Sequence, residues 1–228
     1  MKIALIGYGK MGRIIERLAA EKGDEIIARI DESNAQDLAE QIKSADAAID
    51  FSNAEAVKKN VEACLSANVP LIEGTTGWNE QKPEIKKLIE QQNGAFVFGA
   101  NFSVGVNLFY RIADFAAELF AKFDDYETFI EEQHHSLKKD APSGTALKLK
   151  DIVGQHITKD FSVSATRAGN IPGTHRVGFD GAADQILLEH FARSREGFAS
   201  GAILAAHWIV ERKGFYEFTD VIDEVLKQ

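Results

Sequence analysis

Residues 2–12, KIALIGYGKMG, decide how this chain is read. An apolar run rich in β-formers meets the turn Gly7-Tyr8-Gly9-Lys10-Met11-Gly12, and MGRIIERLAAEKG then carries helical spacing to a closing glycine. The pattern G-x-G-x-x-G is weak alone. Directly between a strand and a helix it acquires a mechanism. Gly7 permits the tight turn, Gly9 lets backbone approach a pyrophosphate, and Gly12 lets the helix pack close to the strand. The free N–H groups at the helix start would face the phosphates. Dinucleotide binding is the favoured reading, with a plain structural turn as its alternative.

Outward from this turn the alternation continues. Segments 24–31, 46–51, 69–74 and 94–100 read as strands, and 35–45, 54–68 and 79–92 as helices, with Ser52 or Asn53 as N-cap of the second. Alternating strands and helices imply βαβ units and a parallel sheet. Asp31 ends the second strand where an acid is expected to bond the adenosine ribose, and Glu32 follows it. Two carboxylates and no lysine or arginine until Lys43 predict NADH over NADPH; the alternative is that Asp31 caps the next helix. The turns at 73–78 and 98–105 follow later strands and would lie on the same edge of the sheet.

After Asn101 the pattern changes. A long amphipathic helix at 106–123, a strand at 125–135 and a helix at 143–157 precede strands at 161–169, 175–181 and 183–194. Strands without helices between them imply an antiparallel or mixed sheet. Segments 198–214 and 218–228 read as closing helices. The expected class is α/β, a Rossmann-like parallel-sheet domain joined to a second, α+β mixed-sheet domain.

The 228 residues carry 26 basic and 35 acidic side chains, a formal charge of -9, which argues against nucleic-acid binding. Cys64 is the sole cysteine, so neither a disulfide framework nor a cysteine-built zinc site is expected. The four-residue apolar run before Gly7 is too short for a signal peptide or membrane span, and a cytoplasmic location is the default expectation.

Against this acidity, HHSLKKDAPSGTALKL (134–149) gathers positive charge. Pro142 disfavours helix at Ala141, Ser143 is a natural N-cap, and Ala146, Leu149, Val153 and Ile157 mark a helical face. Gly144 and Thr145 fall in the first turn, whose amides lack helical partners. Lys138 and the histidines arrive just before it, so ammonium, imidazole and helix start could converge on a small anion. Strand alternation would turn His134 and His135 to opposite faces unless the strand ends between them, so no metal site is expected. Arg167 and Arg195 are read as surface arginines.

The segment HHSLKKDAPSGTA closely resembles the signature of the 4-hydroxy-tetrahydrodipicolinate reductase (dihydrodipicolinate reductase) family: a double histidine, a lysine three residues later, then D-A-P-S-G-T-A. The resemblance extends to GKMG, DFS, EGTTGW, GANFSVGVN, RAGNIPGTH and FASGAILAAHWI, from end to end of the chain. It implies a cofactor domain of residues 1–102 plus 197–228, the C-terminal segment returning to it, and a substrate-binding, oligomerising domain of 103–196. It implies hydride transfer from NADH or NADPH to a cyclic dicarboxylate with loss of water, in diaminopimelate and lysine biosynthesis, and a homotetramer. By the same resemblance His134 matches the proton donor/acceptor and Lys138 the catalytic lysine. His135 matches a substrate ligand, and Gly144 and Thr145 the amide pair that holds a carboxylate. Gly7, Tyr8, Gly9, Lys10, Met11, Gly12, Asp31, Gly74, Thr75, Thr76, Gly99, Ala100, Asn101 and Phe102 match cofactor contacts.

This sequence departs from the family's pattern in four places. The glycine loop is one residue shorter than G-x-x-G-[RK]-M-G, and the stretch after Asp31 is short. Glu32 replaces a frequent basic residue, and Trp78 stands where Phe or Tyr is common. Competing readings are another nicotinamide-dependent oxidoreductase of small acids, a non-catalytic NAD(H)-binding regulator and, more remotely, a zinc hydrolase.

Overall fold

Strand β1 (Lys2–Ile6) is buried on both faces from Ile3 to Ile6, as a central strand of a parallel sheet must be. It leads into α1 (Lys10–Glu21), β2 (Glu25–Ile30), α2 (Leu38–Ile42), β3 (Ala47–Asp50), α3 (Val57–Ala67) and β4 (Leu71–Glu73). A 3-10 turn (Asn79–Gln81), α4 (Lys82–Gln91) and β5 (Ala95–Phe98) follow. Next come α5 (Val104–Phe120), β6 (Glu127–His134), α6 (Gly144–Gly154), β7 (Ser162–Arg167), β8 (Thr174–Asp180) and β9 (Gln185–Phe191). The chain closes with α7 (Glu196–Ile209), β10 (Gly214–Glu217) and α8 (Phe218–Val225). This computed structural model describes residues 1–227 and divides into two units, Met1–Val104 with the segment from Arg195 onward, and Gly105–Ser194.

The first unit holds a six-stranded parallel sheet in the order β10-β5-β4-β3-β1-β2. Succession reverses at β1, which has β2 on one side and β3 on the other, so the loops after β1 and β3 flank a topological switch point. One face is covered by the α2–α4 side, where Ile30, Ile42, Val57, Val61, Trp78, Ile85 and Phe96 form a core. The other receives α7, whose Ala199, Gly201, Ala202, Ala205 and Ala206 are all buried. Gly201 cannot carry a side chain, because a Cβ there would stand 1.7 Å from the Phe102 carbonyl oxygen.

Several sequence expectations are corrected here. Segment 198–214 is not one helix: α7 ends at Ile209, and Gly214–Glu217 pairs with β5 as an edge strand. A four-residue strand is held by its partner across the sheet, which local pattern does not reveal. The helix expected over 35–45 shrinks to Leu38–Ile42. Helix α3 starts at Val57 with Ala56 at its N-cap; the Asn53 side chain instead accepts from the Ala56 N–H at 3.1 Å, bracing the preceding turn.

The second unit is built on a four-stranded mixed sheet, β7-β6-β8-β9, with β6–β7 parallel and the other pairs antiparallel. On α5, Val106, Phe109, Tyr110, Ala113 and Ala117 recur at helical spacing and bury against Ile130, Leu149, Val153, Val177 and Phe179. Along β6 the period of two puts Ile130, Glu132 and His134 in buried positions. Among the described residues no helix is long and apolar enough to cross a membrane.

Candidate active site

In the first unit an open cleft of about 470 Å³ lies at the switch point. Its lining comes from three loops at the carboxyl ends of strands: Gly9, Lys10 and Met11; Phe51 to Ala54; and Gly74, Thr75 and Thr76. The first loop is shaped by Gly7, whose φ of +82° is a left-handed conformation and whose missing Cβ would sit 2.5 Å from the Phe51 carbonyl. Gly9 is the N-cap of α1 and has open space where a Cβ would be. Trp78 braces the third loop, its Nε1–H donating to the Thr75 carbonyl at 2.8 Å.

Of the sequence-predicted cofactor residues, Gly9, Lys10, Met11, Gly74, Thr75 and Thr76 meet at this cleft. Gly7 and Tyr8 lie beside it, their amides donating to the Ile30 carbonyl at 2.9 and 3.0 Å. Gly12 packs against the Gly7 carbonyl. Gly99, Ala100, Asn101 and Phe102 follow β5 and are not in the lining; Phe102 is buried against Phe51 and Phe218. Asp31 does not cap α2: its carboxylate is exposed and accepts from the Ser33 amide at 2.8 Å and hydroxyl at 2.5 Å, which holds it below the usual carboxylate range. Arg29, two residues earlier, is committed to Glu16, which also accepts from the Tyr8 hydroxyl. Phe51 to Ala54 were missed as lining. Their signal was their position after a parallel strand.

The second unit assembles the His–Lys segment around Glu132, which is 1% exposed. Arg167 forks onto this carboxylate, Nη2 to Oε1 at 2.6 Å and Nη1 to Oε2 at 3.0 Å. The Ser143 amide donates to Oε1 at 3.0 Å, and His134 Nδ1 bonds Oε2. Sheet register explains the assembly, since Glu132 stands opposite His175 and His134 opposite Arg167. Ser143 caps α6 as the sequence predicted, its Oγ accepting from the Ala146 amide at 3.2 Å. The same hydroxyl lies 3.1 Å from His175 Nε2, which ties that imidazole to the start of α6.

Strand β6 ends at His134, and half-buried His135 lies beyond it. Gly144 is exposed, with open space at its missing Cβ, and Thr145 follows in the first turn of α6. Lys138 pairs with Asp140 at 2.8 Å and lowers that carboxyl's pKa. Burial lowers the pKa of His134, with Lys138 and Arg167 adding to the effect against the pull of Glu132. Burial and the nearby His134 push His175 down to about 4. A Cβ at Gly173 would stand 3.1 Å from His134 Nε2, so a glycine there keeps that nitrogen clear.

Glu132 and His175 were not singled out from sequence. Period-two alternation already placed Glu132 on the face of His134, but a glutamate beside a second glutamate reads as solvent-facing. Arg167 is corrected from surface arginine to a half-buried fork on a buried carboxylate. Against the expectation of no metal site, donor atoms of Glu132, His134 and His175 lie within 4.8 Å of one another. The carboxylate among them is saturated by a guanidinium, an amide and an imidazole, a donor set that suits a charge-neutralised proton network better than a divalent cation.

Comparison with known proteins matches residues 1–102 to the family model "Dihydrodipicolinate reductase, N-terminus" and residues 105–222 to "Dihydrodipicolinate reductase, C-terminus". The chain is 34% identical over 240 residues to the 4-hydroxy-tetrahydrodipicolinate reductase of Christiangramia forsetii, with 100% of both covered. It is 35% identical to that of Methanocaldococcus jannaschii, covering 96% of this chain and 80% of the relative. A dipicolinate-bound dihydrodipicolinate reductase from Paenisporosarcina sp. TG-14 shares the fold, with a TM-score of 0.79 at 23% identity over 96% and 98% of the two chains. Apo scyllo-inositol dehydrogenase from Lactobacillus casei shares it more loosely, with a TM-score of 0.62 at 11% identity over 97% and 92%. The chain thus belongs to the dihydrodipicolinate reductase family, nicotinamide-dependent oxidoreductases that reduce 4-hydroxy-tetrahydrodipicolinate to tetrahydrodipicolinate in diaminopimelate and lysine biosynthesis.

Proposed function

We propose that the family reaction is carried here by His134 and Lys138, with His135, Gly144 and Thr145 binding substrate and the first-unit cleft binding the cofactor. The observation that carries it is one strand–turn–helix uniting a buried imidazole tethered to a carboxylate with a serine-capped helix start whose Gly144 is bare and exposed. The amides and positive end of such a helix start suit one carboxylate, and Lys138 with His135 suits a second. Dipicolinate, the ligand bound to the Paenisporosarcina reductase, supports a small ring carrying two carboxylates.

The cleft fits a nicotinamide dinucleotide: the space at Gly9 and the start of α1 form a backbone cradle for a pyrophosphate. When bound, the reduced nicotinamide supplies the hydride. This chain's residues do the rest. As hydride adds to the ring, negative charge grows on its conjugated nitrogen side; the Lys138 ammonium stabilises it electrostatically. Glu132 fixes His134 Nδ1, leaving Nε2 for proton traffic. A dianionic substrate counters the depressed basicity of that imidazole by favouring its protonated form. Asp31 and Glu32, with Arg29 committed to Glu16, favour NADH over NADPH. A homotetramer assembled through the second unit completes the reading. There α5 exposes Ile112 and Phe115, and β9, an edge strand, exposes Ile186, Leu187 and Phe191.

The test is consumption of NADH and of NADPH with substrate made in situ, for the wild type and the variants Lys138→Ala and His134→Gln. Each substitution is expected to lower kcat/KM by at least about tenfold, ~1.4 kcal/mol of transition-state stabilisation, and NADH should be used faster. A Lys138→Ala enzyme within about threefold of wild type would end the electrostatic role, and faster turnover with NADPH would end the cofactor preference.

A further inference from the structure

Behind the cleft, Asp50 at the end of β3 and Glu73 at the end of β4 are register partners, and both are fully buried. Each holds one lining loop. Asp50 Oδ1 accepts from the Ser52 amide at 2.7 Å, and Glu73 Oε1 accepts from the Thr75 amide at 2.7 Å. Asn60 donates to Asp50 Oδ2 at 2.7 Å and to the Ser52 hydroxyl at 3.2 Å. Ser52 and Thr75 both line the cleft.

The other Glu73 oxygen, Oε2, is buried without a donor. Among the described residues neither carboxylate has a salt-bridge partner. Their register neighbours are Ile6 on β1 and Phe98 on β5, and the buried residues of α7 are apolar. From α3 the titratable neighbour is Cys64, whose buried thiol is pushed up by burial and by both carboxylates. Two ionised carboxylates side by side in such surroundings would repel each other, and their hydrogen bonds bring no cation to offset that repulsion. A proton on Glu73 gives the orphan oxygen a role as donor and leaves Asp50 ionised to accept.

We propose that Asp50 and Glu73 are positioning residues for the cofactor cleft, acting as a pair that holds one proton between them and so ties the Ser52 loop to the Thr75 loop. This rests on the reading of the cleft as the cofactor site. Burial and the neighbouring Asp50 raise Glu73 well above the usual carboxylate range, in keeping with a retained proton at neutral pH. When alkali removes it, two buried like charges push the loops apart and the cleft loses its shape.

The experiment is NADH affinity by fluorescence titration from roughly pH 6 to pH 10, for the full-length wild type and Glu73→Gln. The amide of the variant donates to Asp50 and accepts from Thr75 at every pH, so it imitates the protonated acid permanently. Wild-type affinity should fall by up to about tenfold per pH unit once the proton leaves, and the Glu73→Gln profile should lack that fall. Lys10 also lines the cleft, but it is common to both profiles. If both proteins bind NADH and their profiles superimpose, the pair has no such role while the cofactor reading stands. If the wild type binds neither NADH nor NADPH at any pH, both fall. A second measurement needs no variant: the infrared spectrum of the wild type at neutral pH should show a protonated carboxyl band that alkali removes, and its absence overturns the proposal.

Discussion

His175 shows how one buried side chain shapes the behaviour of the whole protein in acid. Only 5% of it is exposed, and it titrates near 4 rather than at 6.5. Between those values the unfolded chain binds a proton that the folded chain refuses. Stability therefore falls as pH drops from about 6.5 to about 4, and above 6.5 this group leaves it unchanged. The full effect is of the order of 3 kcal/mol. Urea unfolding of His175→Gln over that range should show a shallower acid slope than wild type; identical slopes would show that some other group sets the acid limit. The glutamine amide can still bond the Ser143 hydroxyl, so the α6 cap is retained. Neither His175 nor Glu132 stood out in the sequence, because a buried polar residue looks like an exposed one until its partner is found. The strand running to His134 and the Ser143 cap were legible because a local pattern, strand then turn then cap, carries them.

At the scale of elements, close packing of α7 depends on a missing methyl group. Alanine at 201 would place its Cβ against the Phe102 carbonyl, a backbone atom that cannot turn aside. Gly201→Ala should lower stability by about 2–3 kcal/mol, read as a shift in thermal midpoint. Gly197→Ala, whose Cβ would meet Ser103 at an ordinary 3.4 Å, should be neutral or stabilising by up to about 1 kcal/mol through helix propensity. Equal effects would mean that α7 shifts freely. The helices and central strands were readable because their periods of 3.6 and 2 span enough residues to average out exceptions. The short strand β10 was not, since Gly214–Glu217 has no period to show and owes its form to pairing with β5.

For the whole molecule, the exposed apolar side chains of the second unit bear on assembly. Light scattering should give a mass near four times the 25.1 kDa chain, and Ile186→Lys combined with Leu187→Lys should reduce it. A monomeric wild type would remove the tetramer from the proposed function. The two-part organisation was visible where alternating strands and helices gave way to clustered strands, although the chain's return to the first sheet was not visible in periodicity.

That return has a consequence for synthesis. The first unit borrows α7 and β10 from the far end of the chain. While the ribosome is still making the middle, β5 waits as an open rim with unanswered amides, and the side of the nascent sheet that α7 will cover is covered by α1 alone. Strands β1 to β5 are thus among the last elements to reach their finished surroundings, and a premature stop shortly after Ser194 would strand an adhesive, half-clad sheet instead of releasing a smaller working enzyme.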